Sequence, residues 1–105
     1  MADDYDLMYA DGMVKKGNLD PTKPIAIVKN EDGSTSTVRT MSANFGDGEV
    51  LIPTVHPDGY IMSDKEAINY YKKTGKSFGV FDSPEAATMY AEKLHEYQSK
   101  FAEGE

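Results

Sequence analysis

Three Asp-Gly steps, Asp32-Gly33, Asp47-Gly48 and Asp58-Gly59, punctuate the stretch from Pro24 to Met62. Glycine supplies the positive φ that a tight reversal between antiparallel strands needs. The runs they separate read as strands. Ile25-Ala26-Ile27-Val28-Lys29 is short and rich in β-formers. Residues 34–45 (STSTVRTMSANF) alternate and are rich in Thr. Glu49-Val50-Leu51-Ile52-Pro53-Thr54-Val55 is the third run, and Pro53, lacking an N–H, belongs at an edge, a bulge or a strand end. Tyr60-Ile61-Met62 reads as a short fourth piece. The spacing predicts a three-stranded antiparallel β-meander.

The pattern then becomes helical. Ser63-x-x-Glu66 is a capping box, Asp64 adds negative charge to the first turn, and Gly75 stops the helix after Lys72, Lys73 and Thr74. This predicts a helix over 64–74 that buries Ala67, Ile68 and Tyr71. Ser77-Phe78-Gly79-Val80-Phe81 reads as a short extended segment. Ser83 is an N-cap, Pro84 suits the first helical position, and Glu85 is acidic in the first turn. Ala87, Tyr90, Ala91, Leu94, Tyr97 and Phe101 then recur at helical spacing, predicting a second helix from Pro84 to about Phe101. The fold class expected is α+β, with two C-terminal helices covering one face of the meander.

A length of 105 residues bounds the chain to one domain with a modest core. Residues 1–20 read as an N-terminal arm, and 21–105 as the single α+β domain. The net charge is −7, with no Cys. That excludes disulfide frameworks, zinc knuckles, Fe–S sites and thiol nucleophiles. Residues 1–20 hold five acids against two bases, 21–81 seven against seven, and 82–105 six against two. The only basic cluster is Lys72, Lys73 and Lys76, which is poor material for a row of phosphate contacts, so no direct nucleic-acid binding is expected. No run reaches the ~20 apolar residues of a membrane helix, and no membrane association is expected.

Reactive groupings are few. His56 could be oriented by Asp58, but a His-Pro-Asp-Gly sequence reads better as a surface turn. Glu92-x-x-His95 is half of a di-iron pattern that needs a second copy and two further carboxylates. Asn30-x-Asp32-x-Ser34 lacks the Gly and Glu positions of a calcium loop. Gly46-Asp47-Gly48 leads into a strand, whereas a phosphate loop leads into a helix. No catalytic residue, cofactor or metal is therefore expected. Seven Tyr, four Phe and six Met exceed what a core of this size absorbs. Such residues suit protein interfaces. Tyr5, Leu7, Met8, Tyr9 and Met13 gather in the arm and are the expected partner-binding residues; Tyr5, Met8 and Tyr9 also have helical spacing.

Val38-Arg39-Thr40-Met41-Ser42, Val50-Leu51-Ile52-Pro53-Thr54-Val55, Ile61-Met62-Ser63-Asp64 and Gly79-Val80-Phe81-Asp82-Ser83-Pro84-Glu85-Ala86-Ala87 together resemble a small module carried by tailed bacteriophages. Gly17-Asn18-Leu19-Asp20 and Tyr90-Ala91…Leu94-His95 extend the resemblance over about residues 17–98. In that family the module occurs alone or inside large phage proteins, including virion-associated ones, and it brings no catalytic motif. The resemblance implies a non-enzymatic virion component bound to capsid, portal or tail proteins, in one or multiple copies, located in the virion and in host cytoplasm during assembly. Two other readings stand beside it. One is an acidic phage protein that inhibits a host enzyme or defence system by filling a basic groove. The other is a hydrolase accessory or cell-wall-binding module.

Overall fold

The computed structural model describes residues 12–23, 25–33, 35–36, 39–46 and 48–102. Among the described residues eight strands and two helices follow in the order β1 (Met13–Lys16), β2 (Val28–Lys29), β3 (Thr35–Ser36), β4 (Thr40–Asn44), β5 (Glu49–Pro53), β6 (Val55–His56), β7 (Tyr60–Ile61), α1 (Asp64–Thr74), β8 (Gly79–Phe81) and α2 (Pro84–Ala102). The class is α+β. A four-stranded antiparallel sheet runs β1-β8-β5-β4, and β2–β3 and β6–β7 form separate two-stranded ribbons.

β4 and β5 pair from Thr40↔Pro53 to Asn44↔Glu49. At their turn the Asn44 carboxamide accepts the Gly46 N–H at 2.7 Å. Pro53 ends β5, as its missing N–H requires. Val50, Leu51, Ile52 and Pro53 are all buried, so β5 has protein on both of its faces. Val50 and Ile52 pack with Met62 and Ala67 under α1, flanked by Ile68 and Tyr71. Leu51 points the other way, into a cluster with Phe78, Phe81, Ala87, Tyr90 and Leu94 under α2. The sheet is thus sandwiched, one helix to a face, where the sequence led us to expect both helices on one side. Continuous burial along Val50-Leu51-Ile52 is the local cause.

The helices begin where the capping residues direct. Ser63 accepts the Glu66 N–H at 3.2 Å, and Glu66 returns the bond to the Ser63 N–H at 2.8 Å. Gly75, at φ 73°, closes α1 with its N–H on the Tyr71 carbonyl at 2.6 Å. Ser83 accepts the Ala86 N–H at 3.1 Å at the start of α2. Ala87, Tyr90 and Leu94 form the buried stripe of α2, with Tyr97 partly buried beside it. The Phe101 side chain lies outside the described residues. Gln98 completes that face and is fully buried, its amide N donating to the carbonyls of Pro21 (3.0 Å) and Lys23 (3.1 Å).

Two boundaries differ from the sequence expectation. The first strand of the meander, around Val28, pairs only with β3 and leaves the main sheet. The main sheet instead grows on the other side of β5, where β8 lies between β1 and β5. The arm assigned to residues 1–20 ends earlier, because β1 hydrogen-bonds to β8 and the next three residues are clamped to the loop after α1. There the N–H groups of Asn18 and Leu19 both donate to the Ser77 carbonyl at 3.1 Å. The Asn18 side chain accepts the Ser77 N–H at 2.9 Å and donates to the Gly75 carbonyl at 3.1 Å. Gly17 permits this approach: a Cβ there would collide with the backbone of Ser77 and Phe78.

Candidate docking surface

Among the described residues β1 is an edge strand, and one side of its backbone faces no other described strand of the sheet. Its register is Met13↔Phe81, Lys15↔Val80 and Lys16↔Gly79, with a bulge between Met13 and Lys15. The extra residue flips the strand. Met13 joins the α2-side core, while Val14 and Lys15 border a hollow on the α1 side. Val14 is 63% exposed, a large value for a β-branched residue inside a strand.

The hollow has a volume of about 310 Å³ and is lined by Val14, Lys15, Phe45, Val50, Tyr71 and Val80. Phe45 comes from the β4–β5 turn and Tyr71 from α1; their rings lie 4.9 Å apart and tilted by 35°. The floor is apolar sheet, and exposed Lys15 is the one charged residue among those lining it. An extended segment laid along β1 would gain backbone hydrogen bonds from the edge and apolar cover from the hollow.

A second concavity, of about 180 Å³, lies between Leu19, Ile25, Pro53, Val55, Pro57, Tyr70 and Lys76. Beside it His56 stacks on Tyr60, with centroids 4.5 Å apart and planes at 12°, and meets the edge of Tyr70 at 5.2 Å. The His56 Nδ1 accepts the Asp58 N–H at 3.0 Å and lies 3.6 Å from the Asp58 carboxylate. These contacts shape the β6–β7 turn. His95 is exposed on α2 in a shallow groove with Thr88, Ala91, Glu92 and Glu96. Among the described residues no three His, Asp or Glu side chains converge as a metal site would need. Among them too, no helix is long and apolar enough to cross a membrane.

Among the described residues two groups titrate away from their ordinary values. The Thr22 hydroxyl and N–H both donate to the Asp20 carboxylate, at 2.6 and 2.9 Å, and hold its pKa below the usual range. Burial pushes the Tyr90 phenol up to about 12. Asp20 braces the turn after the Asn18 clamp and Tyr90 belongs to the core; neither faces the hollow.

Of the residues the sequence singled out for partner binding, Tyr5, Leu7, Met8 and Tyr9 lie outside the described residues. Met13 is half-buried against the α2-side core, which makes it a packing residue. Its neighbour Val14 carries the exposed apolar surface instead. Phe45 also escaped the sequence reading, and a turn position gives no periodic signal that would have found it. Among the described residues the aromatic surplus shrinks: Tyr70 and Tyr97 are packed against the two cores, and Tyr60, Phe45 and Met89 are exposed, as are Val14 of β1 and Ile27. No family model matches the sequence, and no curated protein or solved structure matches it either.

Proposed function

We propose that the chain is a non-enzymatic docking protein of a tailed-bacteriophage particle, an accessory subunit of capsid, portal or tail. The resemblance over residues 17–98 supplies the phage context. The observation that carries docking is the open edge of β1 beside an apolar hollow, with Val14 exposed at its rim. Tyr5, Leu7, Met8 and Tyr9 of the arm, just ahead of that edge, provide the anchor. An interface of about 1,000 Å² needs apolar material of this kind, which the sequence of the arm and the edge of β1 both supply. The partners are other phage structural proteins, the site of action is the virion, and the protein passes through host cytoplasm during assembly. Mass spectrometry of purified particles tests this reading. The protein is expected in the particle; abundance in infected cytoplasm with absence from particles would end it.

One observation favours a second reading. The outer side of α2 presents Glu85, Glu92 and Glu96, all exposed and lining shallow grooves with Thr88 and Met89. An acidic helix face suits a basic groove on a host protein, as an inhibitor would need. Ionic strength separates the two. Charge-led binding weakens steeply as salt rises, whereas docking through Val14 and Phe45 persists.

A further inference from the structure

We infer that the concavity between Leu19, Ile25, Val55, Tyr70 and Lys76 is a binding site for a small apolar carboxylate, a branched-chain or single-ring monocarboxylic acid. It shares no lining residue with the hollow beside β1. Size sets the first limit on the ligand. An apolar cavity of about 150 Å³ holds one benzene ring, so about 180 Å³ takes one ring or a branched chain of similar bulk, and a nucleotide is too large. Wall chemistry sets the second. Leu19, Ile25, Pro53, Val55 and Pro57 offer no side-chain hydrogen bond, so the hydroxyls of a sugar would be buried there unpaired. Charge sets the third. Lys76 is the one charged residue of the lining, and no described carboxylate lies within ion-pair distance of it. The acids next to lining residues in sequence are engaged elsewhere: Asp20 takes both Thr22 donors, and the Asp58 carboxylate lies 3.6 Å from His56. An apolar body ending in one carboxylate meets all three conditions.

The walls are held in place by the fold itself. Lys76 stands in the middle of the Asn18 clamp, whose carboxamide holds the Gly75 carbonyl at 3.1 Å and the Ser77 N–H at 2.9 Å on either side of it. Leu19 is fixed to the same loop by its N–H on the Ser77 carbonyl, at 3.1 Å. Pro53 and Val55 are buried, and the ring of each proline fixes its own φ. Tyr70 meets His56 edge-on at 5.2 Å, and His56 is in turn held by its stack on Tyr60 and by the Asp58 N–H on its Nδ1. Walls set in this way lose little freedom when a ligand enters, which matters most for a ligand with few atoms to contribute. The His56, Tyr60 and Tyr70 group thereby gains a use beyond the β6–β7 turn: it braces one wall of the site.

Nuclear magnetic resonance on the isotope-labelled full chain, titrated with isocaproate and with phenylacetate, tests this. The expected result is a saturable shift of the Leu19, Ile25, Val55, Tyr70 and Lys76 signals, with those of Val14 and Phe45 unmoved. The uncharged amide of either acid, alike in shape, should bind about fivefold more weakly, the upper range for an exposed ion pair. Lys76→Glu alters an exposed side chain, so the fold should persist while the preference reverses: the acids are lost and isoamylamine is taken up instead. The absence of a saturable shift at these residues with either acid would overturn the inference. So would equal binding of acid and amide, or acids that bind Lys76→Glu as well as the unaltered chain. Tighter binding of a short peptide with the same apolar side chain at its carboxyl end would overturn it too, by making a partner's chain terminus the occupant.

Discussion

Gly17 and Asn18 show how much of this fold rests on single positions. Gly17 lies where the chain after β1 presses against the backbone of Ser77 and Phe78, and Asn18 then bonds both ends of the loop between α1 and β8. Gly17→Ala drives a methyl into main chain that cannot rotate away. We expect a loss of about 3 kcal/mol or more in denaturant unfolding, well above the roughly 1 kcal/mol of an ordinary Gly substitution. Tyr90 makes a different residue-scale statement. Its phenol ionises near 10 in an unfolded chain and only at about 12 when folded, because burial disfavours the phenolate. The unfolded state therefore loses its proton first, and stability falls as pH rises from about 10 to about 12. Tyr90→Phe should flatten that alkaline limb, measured as the melting temperature across the interval. An alkaline slope equal to that of the unaltered protein would mean that Tyr90 is not the group responsible.

Elements differed in how legible they were, for physical reasons. Both helices could be read because their signals are local: Ser63 and Glu66 complete a box within one turn, Gly75 needs only its own φ, and Ser83-Pro84 starts α2. The β4–β5 hairpin was readable because its turn residues lie between its strands. β8 was not. Gly79-Val80-Phe81 is too short to show a period, and its two neighbours are about 30 and 65 residues away, so its central place is a property of pairing alone. β1 hid for a related reason: only Met13 of its four residues is even half-buried, and the bulge spoils the alternation. Half of the candidate surface was therefore invisible, since Val14 and Phe45 meet only when β1 and the β4–β5 turn come together across the sheet. Phe81 tests the place assigned to β8. It is fully buried, pairs with Met13 and Glu49 on its two sides, and lies 5.1 Å from the Tyr90 ring. Phe81→Ala should cost about 3–5 kcal/mol of unfolding free energy, a core value that a peripheral extended segment would not give.

At the scale of the whole molecule, two small cores share one sheet. Val50 and Leu51 are adjacent in β5 yet belong to opposite cores, so neither helix can leave without exposing the strand that supports the other. Unfolding should be a single transition, with probes in α1 and α2 giving coincident midpoints; separate midpoints would mean that the two faces are independent. The same architecture explains why the candidate surface lies where it does. α1 and α2 cover the middle of the sheet, and the hollow between Tyr71, Phe45 and β1 is left open on the α1 side. Val14 stands at its rim and contributes little to either core, so replacing it tests docking with little cost to folding. The most direct measurement is the amount of Val14→Asp protein in purified phage particles, relative to the unaltered chain expressed at the same level. Docking through this surface predicts that the unaltered chain is incorporated and that the variant, still folded, is largely lost from the particles. Equal incorporation of the two would contradict it.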